Sequence, residues 1–552
     1  MSRRITIDPI TRLEGHGRIE VILDEQGNAQ TAFLQIPELR GFEAFCVGRA
    51  AEEMPQLTAH VCGVCPAAHH IASARALDAL YAATPPAAAR RIQALYYNLF
   101  LFEDHLLHYW YLGGPDFYAG PRAPAPMRNV LGVVAKVGAK LGGRILAVRK
   151  EARDLMAAIA GRTIHPVFAL PGGISRPLDA ELVRRLRDAA PRLVRFAEDT
   201  LDSFRRAVLE DREYARVIES EVFRVRCHSM GMVDEAGRLT FLDGKLRIVD
   251  PAGEEVALFD PSAWLDHLAE RVEPWTYAKL TFLKARGWKG LVEGDESGLY
   301  RVGPLGRLNV ARAMATNRAE RERQRLFDQL GWPAHQTLAF HWARLVEALQ
   351  AAEAVEQLAA DPDLLSRDVR TVPAPLPGPR EGVGVVEAPR GTLIHHYASD
   401  ANGVLTAVNL VVASQHNAAS VQVSVRKAAR GLIRNGRVDD GLLNLLEMAF
   451  RAYDPCNACA SHALPGELPL VVTLRGPDDG ARGRVGVQQV RHPERDGVVA
   501  AEGVAEAEDG DHASSATRRR MTSRTPPSGP RSVTTSGSSP GRAWDAQALH
   551  GS

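Results

Sequence analysis

The sequence predicts an α+β fold, mostly helical, in which strands gather into blocks apart from the long helices. Three observations predict it. Residues 4–35 alternate apolar and polar positions, as a half-buried strand pair does. Long stretches within 66–112, 179–216 and 317–360 read as helices. Turn-punctuated strand patterns occupy 220–312 and 383–426. Apolar residues make up 45% of the 552, enough for a large core.

The first block is a β-hairpin, because "GRIEVIL" and "AQTAFLQI" flank the turn "DEQGN". "PAAHHIASARALDAL", Pro66 to Leu80, reads as a helix whose first turn holds Pro66, where the missing N–H is no loss. "TPP" at 84–86 ends it, and another helix follows over 87–112. Residues 179–216 read as a charged amphipathic helix or pair, interrupted at Pro191. Residues 220–312 are strand-rich, with turns at "DEAGR" and "DPAGEE". The helical block 317–360 breaks at "GWP". The stretch 383–426 reads as strands and loops, and a last core helix spans 436–452. No internal repeat is seen. Past about Leu474 the composition changes: Trp544 is the one aromatic residue of 475–552, and "ATRRRMTSRTPPSGPRSVTTSGSSPGR" is rich in Ser, Thr, Pro and Arg. Such a stretch cannot bury enough apolar surface to offset its ordering entropy, so 481–552 is expected as a disordered, low-complexity extension.

A formal net charge of +1 carries no signature of nucleic acid or of an anionic membrane. The N-terminus lacks the apolar core of a signal peptide, and no long uncharged apolar run suggests a membrane span. Cytoplasmic residence is expected.

Six cysteines occur, and four of them form two C-x-x-C pairs, Cys62/Cys65 and Cys456/Cys459. Such clustering favours metal or redox chemistry over structural disulfides. Gly63 lets the first pair turn tightly, and Cys65 opens a helix whose dipole favours a thiolate. Four thiolates suit a structural zinc, but zinc pairs usually lie close in sequence and these are separated by most of the chain. Soft thiolates equally suit nickel or iron, and spacing alone leaves zinc and a redox metal open.

The flanking residues add a resemblance. "ITRLEGHGRIEV", "RGFEAFCVGR", "CGVCPAAHH", "EAPRGTL" and "DPCNACASH" follow in the order of the large subunit of NiFe hydrogenases, which the chain resembles over roughly residues 4–474. "EDHLLHYWYLGGPDF", "RNVLGVVAKVG" and "IHPVFALPGGIS" look most like the cytoplasmic methyl-viologen-reducing branch, linked to a heterodisulfide reductase or related acceptor. The resemblance implies a large, mostly helical subunit with a central long-helix bundle and peripheral small β-sheets, its metal site joining N- and C-terminal motifs. It implies a catalytic domain over 1–462 and the start of a C-terminal maturation peptide over 463–480.

Site residues follow from the same resemblance. Cys62, Cys65, Cys456 and Cys459 would hold nickel, with Cys65 and Cys459 bridging to an iron carrying CO and cyanide. Glu14 would relay protons from Cys456. A guanidine is a poor base at a pKa above about 12, so Arg390 is given a positioning and electrostatic role beside Asp104 and Asp454. Pro389, Arg390 and Leu393 match the wall around the diatomic ligands, Ser414 a cyanide donor, and His69 a histidine near the bridging thiolate. Glu43, the Leu410 carbonyl and His462 match a magnesium (or iron) site. One departure stands out: the family's arginine two residues before the first cysteine is here His60, which carries charge only when protonated.

After the active site, Cys46 and Cys227 remain, too few for a four-cysteine iron–sulfur cluster. Electrons therefore need a partner, which the resemblance identifies as an iron–sulfur small subunit, joined by a further electron-transfer subunit, with a heterodisulfide-reductase-like acceptor beyond it. A maturation protease cutting after His462 and nickel chaperones are implied as well. The competing readings are a structural zinc protein and an H2-sensing regulatory subunit; a quinone-linked respiratory relative would lack both thiol pairs. Beyond about residue 480 the sequence has the bias of a GC-rich region read in another frame, so a frameshift or readthrough is expected there.

Overall fold

The alternation near the N-terminus becomes a sheet with one buried face: Ile19, Val21 and Leu23 are buried and their neighbours half-buried. The expected hairpin has a third strand. Arg4–Ile7 pairs antiparallel with Arg18–Leu23, which pairs antiparallel with Ala29–Gln35. The other edge of Ala29–Gln35 is met by a glutamine from the helix Ala413–Leu432. Leu34 N donates to Gln422 Oε1 (2.7 Å) and Gln422 Nε2 donates to Ala32 O (2.6 Å), so one amide satisfies backbone groups as a fourth strand would. The computed structural model describes residues 4–39 and 41–460, with the backbone of 471–474 and 483–486.

Four long helices form the central bundle: Ala87–Leu107, Ala139–Ala160, Ala180–Phe204 and Phe340–Ala359. Phe340–Ala359 packs against both Ala87–Leu107 and Ala180–Phe204 and is buried over most of its length. Smaller sheets flank the bundle. One has four strands, with Tyr300–Arg301 parallel to His228–Val233, followed by Lys245–Val249 and Glu255–Phe259. Another runs Arg380–Ala388, Gly391–Ser399, Leu405–Val411, all antiparallel. This is the α+β arrangement expected.

The helix Pro66–Leu80 is buried on nearly all sides and lies on the strand Arg380–Ala388. Gly382 and Gly384 permit this approach: a Cβ on Gly384 would fall 2.1 Å from Ala72 O. The helix opened by the first thiol pair is thus docked on the strand that leads to Arg390.

Three expectations are corrected. Pro191 does not interrupt its helix, which runs unbroken over Ala180–Phe204. Leu186, Ala189, Ala190, Leu193, Val194 and Ala197 bury one face, and that packing outweighs the lost hydrogen bond. Residues 413–426 are helix, not strand or loop, because Ala413–Leu432 is buried on most faces and shows no clear polar stripe. The last core helix starts at Asp440, where Asp439 caps it by accepting from Leu442 N (2.8 Å). The helix from 87 is regular to Leu107 and then takes a π turn over His108–Gly113.

Val471–Leu474 pairs antiparallel with Gly483–Gly486, so pairing crosses the boundary expected at 480. The rest of the expected extension, and the proposed cleavage point at His462, lie outside the described residues. No helix among the described residues is long and apolar enough to cross a membrane.

Candidate metal centre

Two short loops deliver four thiols to one place. Cys62 and Cys65 close the turn before Pro66–Leu80, and Cys456 and Cys459 stand at the helical turn Asn457–Ala460. All four residues are buried, and their Sγ atoms lie within 4.8 Å of one another. The shortest contacts are 3.0 Å for Cys456–Cys459, 3.3 Å for Cys62–Cys456 and 3.4 Å for Cys65–Cys459. Hydrogen bonds with Cys456, Cys459 and Cys65 hold Cys62 well below the usual thiol range. Burial drives Cys456 and Cys459 well above it. Hydrogen bonds with Cys456 and Cys459 pull Cys65 down, but its hydrogen bond with Cys62, then burial and the charge on Cys62, raise it overall. Cys62 Sγ also accepts from Val64 N (3.2 Å) and Cys65 N (3.3 Å). Four touching buried thiols cannot all ionise without a compensating cation, so the donor set fits a thiolate-bound soft metal.

Glu14 is brought in by the glycines of "LEGHG". Gly15 has φ +78°, and a Cβ there would lie 2.6 Å from Ala458 N, so a side chain would push the helical turn Asn457–Ala460 away. The bare backbone lies against the second thiol loop, and Glu14 O accepts from Asn457 N (3.0 Å). Glu14 Oε2 accepts from Cys456 Sγ (2.8 Å) and Ala458 N (3.2 Å). Burial lifts this carboxyl above its ordinary value.

Arg390 is buried between two carboxylates. Its Nη1 donates to Asp104 Oδ2 (3.3 Å) and its Nη2 is ion-paired with Asp454 Oδ2 at 3.1 Å. Burial opposes its charge, but Asp104 and Asp454 prevail and hold the guanidinium well above its normal value. Burial pushes Asp454 up to about 7 against the pull of Arg390 and Arg344. Asp454 also has φ +55°, a left-handed backbone uncommon outside glycine. Asp104 is wholly buried in Ala87–Leu107, so a solvated helix position is excluded for it.

A cavity of about 20 Å³ adjoins the thiols, lined by Cys65, His69, Arg390, Leu393, Ser414 and Cys459 among others. Pro389, expected on this wall, does not line it. Pro389 and Arg390 form the tight turn between the strand ending at Ala388 and the one starting at Gly391; Arg390 lines the cavity, while the Pro389 carbonyl accepts from Arg307 Nη2 (3.3 Å). Ser414 Oγ accepts from Cys456 N (2.8 Å), which leaves its own O–H to donate. Arg390 Nε makes no hydrogen bond, so a second buried donor is available on this wall beside the Ser414 hydroxyl.

His69 Nε2 is 3.5 Å from Cys459 Sγ, and its Nδ1 is 3.1 Å from His395 Nε2. His395 Nδ1 in turn lies 2.6 Å from the Tyr397 hydroxyl. Sequence reasoning missed His395 and Tyr397, although their spacing of two on one strand puts both on one face. It also missed Arg344, wholly buried and donating to Ala452 O (3.3 Å).

Glu43 and Leu410 do come together, through the Leu410 N–H, which donates to Glu43 Oε1 (2.7 Å). Lys279 Nζ, an unexpected neighbour, stands 4.0 Å from Glu43 Oε2 and 3.3 Å from Glu270 Oε2. His462 lies outside the described residues. Cys46 and Cys227 stay apart from the thiol cluster: burial pushes Cys46 up to about 11, and Cys227 Sγ accepts from Arg301 Nε (3.1 Å). His60 is exposed, with Nδ1 2.7 Å from Gln56 O and its ring stacked on His165 at 4.2 Å.

Comparison with known proteins agrees with this geometry. A family described as nickel-dependent hydrogenase matches residues 40–122 and 266–462, and one described as HoxL-like matches residues 4–39. The chain is 43% identical to an iron-sulfur subunit of the F420-non-reducing hydrogenase of Archaeoglobus profundus, covering 86% of this chain and 97% of that one. It is 36% identical to the NAD-reducing hydrogenase HoxS subunit beta of Cupriavidus necator, covering 86% and 97%. Its structure resembles a NAD+-reducing NiFe hydrogenase crystallised in the H2-reduced state, with a TM-score of 0.77 and 37% identity over 83% of this chain and 99% of that one.

Proposed function

The chain belongs to the nickel-dependent hydrogenase family and is a catalytic large subunit that acts on H2; we propose that Cys62, Cys65, Cys456 and Cys459 hold the nickel–iron pair at which H2 is cleaved. The observation that carries this reading is the convergence of four buried thiols from both ends of the chain, with Glu14 Oε2 2.8 Å from one of them. When bound, the metal pair supplies a Lewis acid that polarises H2 and a sink for its electrons.

The chain's own residues handle protons, charge and water. Cys456 Sγ takes the proton and passes it to Glu14 Oε2; the S–H bond breaks as the O–H bond forms, over the 2.8 Å contact. Arg390, kept charged by Asp104 and Asp454, presents fixed positive charge and does not act as the base. Leu393 and the neighbouring alanines keep the cavity dry, and Ser414 and Arg390 give it its few donors, which suits an iron carrying CO and cyanide. His69 Nε2 faces Cys459 Sγ at 3.5 Å, where its N–H would donate to that sulfur once it binds metal as a thiolate. Glu43, the Leu410 carbonyl and His462 would hold magnesium (or iron), with Lys279 supplying part of the charge balance at Glu43.

Electrons leave through a partner. Outside the thiol cluster only Cys46 and Cys227 remain, so this chain cannot ligate a four-cysteine cluster. An iron–sulfur small subunit is the fitting partner, followed by a further electron-transfer subunit, then a heterodisulfide-reductase-like acceptor in the cytoplasm. A protease acting after His462 and nickel chaperones would complete its maturation.

Infrared spectroscopy of the purified complex in the CO and cyanide stretching region, with metal analysis, tests the reading. Both bands, with nickel and iron, are expected. Zinc without nickel and no such bands would refute it.

A further inference from the structure

The loop that carries Glu14 is fastened by carboxylates remote from the thiols. Asp116 stands in the short helix Pro115–Tyr118 and is 1% exposed. Its Oδ1 accepts from Arg12 Nη2 (2.5 Å) and Asn444 Nδ2 (3.0 Å), and its Oδ2 accepts from Arg451 Nη1 (2.5 Å). Arg12 donates further to Leu112 O (2.8 Å), within the π turn His108–Gly113, an irregularity that offers carbonyls to outside donors. Arg451 Nη2 donates to Glu447 Oε2 (2.5 Å). The same Glu447 oxygen accepts from Thr11 N (3.2 Å) and Thr11 Oγ1 (2.6 Å).

Two chain segments are thereby drawn to one point. Thr11 and Arg12 lead directly into Glu14, and Arg451 leads into Asp454 and Cys456. Arg12 is held at φ +57°, a conformation that a non-glycine residue keeps only under external restraint. Burial would favour a neutral Asp116, but Arg451 and Arg12 overcome it and keep the carboxylate ionised. Glu14 and Cys456 each stand a few residues beyond the clamp, on opposite sides of the proton-transfer contact.

We propose that Asp116 is a positioning residue for proton transfer: by holding Arg12 and Arg451 together it sets the 2.8 Å contact between Cys456 Sγ and Glu14 Oε2. This rests on the hydrogenase reading above. A clamp with a merely stabilising role would hold the chain together without setting that contact, and the two roles separate by experiment. In Asp116→Asn the side chain keeps its size but cannot balance two guanidiniums.

The test compares two reactions in one preparation of the complex. Para-to-ortho hydrogen conversion needs cleavage and recombination at the metals alone, whereas exchange of D2 with water also needs proton passage through Glu14. In Asp116→Asn, with nickel content unchanged, the ratio of exchange to conversion is expected to fall about tenfold or more. An unchanged ratio, or loss of both reactions in proportion to lost nickel, would overturn the proposal. If that complex does not assemble, Glu447→Gln, which loosens Thr11, is read in the same way; a ratio lower by about threefold is expected, and no change overturns the proposal. Failure of the unsubstituted complex to catalyse either reaction would instead count against the hydrogenase reading itself.

Discussion

Single residues divide the work at this site by what they touch. Glu14→Gln keeps the shape of the relay but removes its acceptor, so H2 oxidation should fall by about 10²–10⁴ while nickel and iron content stays unchanged. Parallel assay and metal analysis would check it. Cys459→Ala should abolish the metal centre, because Cys459 Sγ touches both Cys456 and Cys65, whereas Cys46→Ala should leave it intact. Retained metal and activity in the Cys459 variant would contradict the ligand assignment. Much of this is legible in the sequence. Glu14, the four cysteines and Ser414 lie in motifs whose spacing survives folding. Pro389 lies off the cavity wall because a motif does not say which way each residue of a two-residue hairpin turn points. Asp116 and Arg344 escape it because their role depends on partners far away in the chain: Asp116 meets Arg12 and Arg451, and no local pattern marks such a junction.

At the level of elements, the seam between Pro66–Leu80 and Arg380–Ala388 is the most exacting. A methyl group on Gly384 would collide with Ala72 O and Ala76 N, both main-chain atoms that cannot move aside. Gly384→Ala is therefore expected to destabilise the fold by about 3 kcal/mol and to lower metal occupancy, since the helix carries Cys65 at its head. Chemical denaturation and nickel analysis would read the two effects; an unaffected protein would show that the helix can shift freely. Helix boundaries are legible where proline or a capping residue marks them, as at Pro66. They are obscured where packing overrides local preference. Val421, Val423 and Val425 suggest strand, yet the surrounding core keeps Ala413–Leu432 helical, and Pro191 suggests a break that its buried neighbours do not allow.

The whole molecule buries several histidines that must stay neutral. Burial pushes His70 down to about 4 and both His341 and His416 down to about 3. Their unfolded value is about 6.5, so their contribution to stability is complete above that pH and is lost as pH falls toward the folded values. At pH 5 each should remove about 2 kcal/mol, so the urea midpoint of the complex should drop clearly between pH 7.5 and pH 5. Equal midpoints would show these imidazoles to be solvated. The meeting of chain ends at Glu14 and Cys456 has one more consequence, in time. The thiols that pair across the centre are 394 positions apart. At roughly 5–20 residues per second, Cys62 leaves the ribosome some 20–80 s before Cys456 does. During that interval the first pair is an open dithiol with no opposite wall, exposed to oxidants and to adventitious metals. The order of synthesis thus makes the N-terminal half wait, and whatever guards it in the cell has to recognise two cysteines, not four.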